Sequence, residues 1–167
     1  MGLRHAVLTS VNRDDQKDGG AAIFAACVRE IRTRVPGCAI ELLIPDFKGT
    51  WEALNTVIGA RPDILNHNTE TVPRLYRTVR PGARFERSLE LLRRSWEAGL
   101  RTKSGIMLGL GETQEEVVDS MKRIREAGAE LLTLGQYLRP SAQHAPAREY
   151  VPPQRFERLV KAFPRED

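Results

Sequence analysis

Cysteine is scarce: this chain of 167 residues has two, Cys27 and Cys38. Neither lies at metal-ligand spacing from a second ligand, and no disulfide is expected between them in a reducing compartment. Cys27 falls on the apolar side of a helical pattern and Cys38 follows the Pro36-Gly37 turn, so both read as structural. No apolar run approaches the length that spans a bilayer, and the first residues carry no signal-peptide pattern. A cytoplasmic location is the resulting expectation. Low-complexity tracts are missing too, which argues against a disordered chain. Aromatics make up only 6% of residues, and no stacking aromatics are expected beside the arginines at positions 87, 93, 94 and 101. The net charge of +4 is spread singly over presumed helix faces, so neither a nucleic-acid nor a membrane partner is expected.

What is present is ordinary in amount and ordered in arrangement. With 41% apolar and 29% charged residues, the length fits one domain with a core of its own. Residues 4–9 read as a buried strand with a polar loop after it. Asp18 is placed to cap a helix whose apolar face is Phe24, Val28, Ile31 and Val35, and Pro36-Gly37 ends that helix. A strand at 39–44 leads through Pro45-Asp46 to a helix at 51–58. A short strand at 63–65 runs into Asn66-His67-Asn68-Thr69-Glu70, followed by a short helix at 74–78. The helix expected at 85–98 has Leu89, Leu92 and Trp96 as its buried stripe. A strand at 101–108 precedes a Gly109-Leu110-Gly111 turn, and Thr113 with Glu116 forms a capping box. Val117, Met121 and Ile124 face inward on the helix that follows, a strand occupies 131–134, and Pro152-Pro153 opens a last helix to about 163.

This alternation predicts parallel strands joined by right-handed crossovers, an α/β fold of about five βα units. Ligands in such folds lie at the C-terminal ends of the strands. Here those ends are polar throughout: residues 10–15, Asp46, residues 66–70, Lys103 with Ser104, and Gln136 with Tyr137. A polar cleft is therefore expected. Lys103 either snorkels to water from an edge or pairs a ligand carboxylate or phosphate. His67 is either a base or a hydrogen-bonded support. Asn66, Asn68 and Glu70 suit ribose hydroxyls or an amino group, and could equally hold their loop together. Gly105, Gly109 and Gly111 match no phosphate-binding fingerprint and are taken as turn residues.

Several of these stretches together resemble lipoyl synthase. They are residues 8–15 (Leu-Thr-Ser-Val-Asn-Arg-Asp-Asp), Asp18-Gly19-Gly20, residues 44–49 (Ile-Pro-Asp-Phe-Lys-Gly), residues 66–76 (Asn-His-Asn-Thr-Glu-Thr-Val-Pro-Arg-Leu-Tyr), residues 80–83, residues 103–112 and residues 135–138. The resemblance covers about residues 2–158 and implies a radical S-adenosylmethionine enzyme with a partial parallel (β/α) barrel. Residues 1–141 would be the incomplete barrel and 142–167 a C-terminal loop and helix of the same domain. The family inserts sulfur at C6 and C8 of a protein-bound octanoyl chain. One 4Fe-4S cluster cleaves S-adenosylmethionine to a 5′-deoxyadenosyl radical, and a second, auxiliary cluster is consumed as the sulfur source. By analogy, Thr9, Ser10, Asn12, Asn66, Asn68, Glu70, Lys103, Gln136 and Tyr137 would line the S-adenosylmethionine and octanoyl cleft. The implied partners are an octanoylated lipoyl carrier domain or H protein, and an electron donor such as ferredoxin or flavodoxin.

The chain departs from the family in what it omits. The Cys-x3-Cys-x2-Cys motif, the auxiliary cysteine triplet, the first strand with its helix and the C-terminal Arg-Ser-Ser-Tyr segment are not in this sequence. Cluster ligation needs thiolates at fixed positions, so no metal-binding residue is assigned and the chain alone is expected to be inactive. It reads as a core fragment of a lipoyl synthase. Two alternatives stand: a cluster-free module binding a nucleoside-like ligand or a lipoyl carrier domain, and one half of a split enzyme. With no strand before it, residues 4–9 would expose an apolar edge that favours self-association.

Overall fold

The computed structural model describes residues 2–163. Its strands are β1 (His5–Thr9), β2 (Ala39–Leu43), β3 (Ile64–Asn66), β4 (Arg101–Leu108) and β5 (Leu131–Gln136). The helices are α1 (Ala21–Arg34), α2 (Trp51–Gly59), α3 (Tyr76–Val79), α4 (Phe85–Glu97), α5 (Gln114–Glu126) and α6 (Pro153–Ala162). A 3₁₀ turn at Pro73–Leu75 leads into α3. The capping box is present, with the Thr113 hydroxyl accepting from the Glu116 N–H and the Glu116 carboxylate from the Thr113 N–H. At α1 the cap position belongs to Gly20, in the left-handed region, while the Asp18 carboxylate accepts from the Gly20 and Ala22 amides at 3.0 and 2.9 Å. Asp18 thus satisfies the helix start as expected of it, but from two residues upstream of the cap position, which Gly20 holds.

All five strands are parallel, and their spatial order is their sequence order, β1-β2-β3-β4-β5. Each right-handed crossover moves one strand in the same direction, which puts the helices on one face and curls the sheet toward a barrel. A doubly wound sheet would reverse its order somewhere; this one does not. The helix-covered face consists of Ile40, Leu42, Leu65, Thr102, Ser104, Ile106 and Leu108, all buried. Along the register the other face carries His5, Val7 and Thr9, then Glu41 and Leu43, then Asn66, Lys103, Gly105 and Thr133.

The core forms two clusters. Phe24, Val28, Ile40, Leu42, Leu54, Val57, Leu65 and Leu91 make one under α1 and α2; Leu89, Leu92, Ile106, Val117, Met121, Ile124 and Leu159 belong to the other, under α4 to α6. Helix α4 joins them, with Leu91 in the first cluster and Leu92 in the second. Trp96 is not part of the buried stripe: it is 51% exposed and lies over Gly128. The stripe runs instead through Ser88, Leu89, Leu92 and Ser95, and the Ser95 hydroxyl donates to the Leu91 carbonyl at 2.8 Å. Among the described residues β1 pairs with β2 alone, and Leu3, Val7 and Ile23 beside it are exposed.

Candidate functional site

The loops after β1, β2 and β3 meet above the sheet. Thr9, Ser10 and Asn12 come from the first, Leu43, Ile44 and Pro45 from the second, and His67, Asn68 and Glu70 from the third; Arg80 from the loop after α3 closes the hollow. A second hollow of about 500 Å³ adjoins it, sharing Asn12, Pro45 and Arg80 and continuing along Arg13, Lys17 and Lys48. That size suits a small organic ligand.

Glu70 is the most constrained residue of the site. Its φ of 68° lies in the left-handed region, which a non-glycine residue occupies at a cost of about 1–3 kcal/mol. Both its backbone groups bridge to β4: its N–H donates to the Gly105 carbonyl at 2.9 Å and its carbonyl accepts from Met107 at 2.8 Å. Asn68 lies across β4, and a Cβ at Gly105 would come within 2.6 Å of the Asn68 Oδ1. Gly105 is therefore a strand residue that makes room for Asn68, not a turn residue. Arg80 donates to the Asn68 and Thr69 carbonyls at 3.2 and 3.4 Å and packs over the Tyr76 ring.

His67 supports the site from beneath. Its Nδ1 faces the Ile44 carbonyl at 2.9 Å, so that nitrogen carries the proton, and Nε2 accepts from the Ser88 hydroxyl at 2.9 Å. Burial pushes its pKa down to about 4, so the ring is neutral near pH 7. It is a hydrogen-bonded support between β2, β3 and α4. Asp46 holds the next loop: it accepts from the Lys48 N–H at 3.0 Å and from Arg87 at 2.9 Å, around left-handed Phe47 and Lys48.

On the open face of the sheet, Lys103 neither reaches water freely nor awaits a ligand anion. Its Nζ donates to Glu41 Oε1 at 2.9 Å, and Asn66 Nδ2 donates to the same oxygen at 2.8 Å. Glu41 was not foreseen from the sequence, although a lone carboxylate in the apolar run of β2 was a signal. Burial opposes its charge, but Lys103 and Asn66 outweigh that and hold its pKa below the usual value. Gln136 and Tyr137 do not line the hollow. The Gln136 amide bonds to the Leu108, Tyr137 and Glu149 carbonyls and to the Val151 N–H, and the Tyr137 hydroxyl donates to Ala145. Both pin the 137–151 segment instead. In the Gly109-Leu110-Gly111 turn the Glu112 carboxylate accepts from the Gly109 and Leu110 amides at 2.6 and 2.9 Å. The chain's own carboxylate thus fills the place a phosphate would take.

The Radical SAM superfamily profile matches residues 1–124. The chain belongs to the radical SAM superfamily. It is 59% identical to the lipoyl synthase of Rubrobacter xylanophilus over 163 residues, 96% of this chain and 51% of that protein. It is 56% identical to the lipoyl synthase of Methylococcus capsulatus over 161 residues, 95% of this chain and 50% of that one. The chain thus spans about half the length of the curated relatives it matches. In fold it is similar to methylornithine synthase, with a TM-score of 0.71 at 17% identity over 96% of this chain and 49% of that one. The strand order and the open concave face agree with a partial radical SAM barrel. S-adenosylmethionine and a 4Fe-4S cluster go with this superfamily. The cluster does not fit the residues present: Cys27 lies half-buried in α1, Cys38 is buried before β2, and no group of three or more His, Cys, Asp or Glu among the described residues could hold a metal. No helix among them is long and apolar enough to cross a membrane.

Proposed function

We propose that this chain is the S-adenosylmethionine-binding part of a lipoyl synthase core, acting in sulfur insertion at C6 and C8 of a protein-bound octanoyl chain. The identity of 59% over 96% of the chain carries the reading. The hollow of Thr9, Ser10, Asn12, Asn68, Glu70 and Arg80 supports it, since its carboxylate, amides and guanidinium suit a ligand with ribose hydroxyls, an ammonium and a carboxylate. The work read for these residues is binding and orientation. Iron–sulfur chemistry needs thiolates that Cys27 and Cys38 do not supply, so both the radical-generating and the auxiliary cluster depend on ligands other than these residues. The proposal carries a cytoplasmic location, an octanoylated lipoyl carrier domain or H protein as substrate, and ferredoxin or flavodoxin as electron donor.

Two measurements test it. Calorimetry should find one S-adenosylmethionine bound per chain, and no binding at millimolar ligand overturns the assignment of the hollow. A chimaera carrying this chain in place of the matching half of the Rubrobacter xylanophilus enzyme should convert an octanoyl-lysyl carrier to the lipoyl form. A folded, cluster-loaded chimaera that makes no product overturns the assignment of the reaction.

A further inference from the structure

Glu41 presents a carboxylate on the open face of the sheet, yet the residue is only 4% exposed. One of its oxygens takes both the Lys103 ammonium and the Asn66 amide; the other faces the His5 ring at 3.7 Å. An ionised carboxylate accepts and never donates, so the Asn66 carboxamide must turn its NH₂ toward Glu41. Its Oδ1 is then on the arm directed away from Glu41. That atom is buried, within a residue only 6% exposed, and it has no hydrogen-bond partner. A buried acceptor left unpaired is unfavourable and calls for a donor. Asn66 shares its face and register with Leu43, which lines the hollow, and stands two residues before Asn68 on the same strand end.

We propose that Glu41 is a positioning residue: it fixes the Asn66 carboxamide so that Oδ1 accepts a hydrogen bond from an O–H or N–H of the bound nucleoside amino acid. The proposal rests on the reading of the hollow as an S-adenosylmethionine site. Lys103 completes the device by keeping Glu41 ionised, because a protonated Glu41 could either accept from the Asn66 NH₂ or donate to Oδ1 and would no longer set the orientation. In Glu41→Gln the partner has both a donor and an acceptor, so the Asn66 amide is free to turn over.

The test is a double-mutant cycle read by calorimetry, with S-adenosylmethionine and 5′-deoxyadenosine as probes. Asn66→Ala should weaken S-adenosylmethionine binding about tenfold, the factor one hydrogen bond commands, and Glu41→Gln, in which the amide divides between two orientations, about twofold. Glu41→Gln combined with Asn66→Ala should lose no more than Asn66→Ala alone, because Glu41 acts through Asn66. Full additivity, or unchanged binding in Glu41→Gln, overturns the proposal while leaving the hollow assigned. Failure of the unaltered chain to bind either probe overturns the hollow and the proposal together. A matching loss with 5′-deoxyadenosine places the donor on the nucleoside, a ribose hydroxyl or the adenine amino group, and a loss confined to S-adenosylmethionine identifies the ammonium. Should Glu41→Gln fold poorly, the charge-conserving exchange Glu41→Gln with Asn66→Asp supplies a carboxylate with an acceptor on both arms. It should bind as the unaltered chain does, and a tenfold loss there overturns the proposal.

Discussion

His67 contributes stability by staying neutral. Its pKa falls from 6.5 in the unfolded chain to about 4 in the folded one, through burial. Between those values the unfolded state binds the extra proton. The contribution is therefore complete above pH 6.5 and is lost as pH falls toward 4, on the order of 3 kcal/mol. Urea titrations at pH 7 and pH 4.5 should show a steep loss for the unaltered chain and a shallower one for His67→Gln. Glu70 shows the opposite balance, strain kept in place for a side chain. Glu70→Gly should leave stability within about 1 kcal/mol, as relief of the left-handed φ offsets the entropy of glycine. It should nonetheless weaken S-adenosylmethionine binding more than tenfold, seen by thermal melting beside calorimetry. At this scale the sequence was legible in kind and not in role. The polar cluster at 66–70 stood out, but the support given by His67 and the acceptor fixed in Asn66 depend on Ser88 and Glu41, remote in sequence. The bond from Lys103 to Glu41 joins residues 62 apart, and no local pattern announces it.

Elements were legible where their ends carry a local chemical signal. Thr113 with Glu116 opened α5 as expected, and Pro36-Gly37 closed α1, because capping is settled within four residues. Trp96 was misplaced for the opposite reason. Its spacing from Leu92 suits a buried stripe, but the indole lies over Gly128 with about half its surface exposed. Gly128, at φ 92°, gives the indole its seat, and a Cβ there would fall 2.4 Å from the ring. Gly128→Ala should therefore destabilise by at least about 2 kcal/mol through strain and collision combined. Gly37→Ala, also left-handed but with open space around it, should lose less. Chemical denaturation of the two variants side by side decides the point.

For the whole molecule, alternation of strand and helix announced a parallel sheet, yet it does not distinguish a sequential order from a reversing one. That distinction came from the resemblance, and the observed order bears it out. The nine residues expected at the cleft were only partly gathered by the fold: Thr9, Ser10, Asn12, Asn68 and Glu70 meet, Asn66 and Lys103 lie below them, and Gln136 and Tyr137 serve a loop. We propose that the flank of β1, which has no partner among the described residues and lies beside exposed Val7, is an edge on which a second copy pairs. Val7→Lys should shift the isolated chain toward monomer in light scattering at high concentration; a monomer before the change would show that the edge is not sticky.

The division of the interior at α4 has a bearing on how the chain opens. Leu91 and Leu92 are adjacent in sequence and serve separate packed units, so one helix is a party wall between two rooms. Opening either unit bares one side of α4 and leaves the other side covered. Amide exchange in the native state should then resolve two opening events, one reporting α1 and α2, the other α5 and α6, with α4 slow in both.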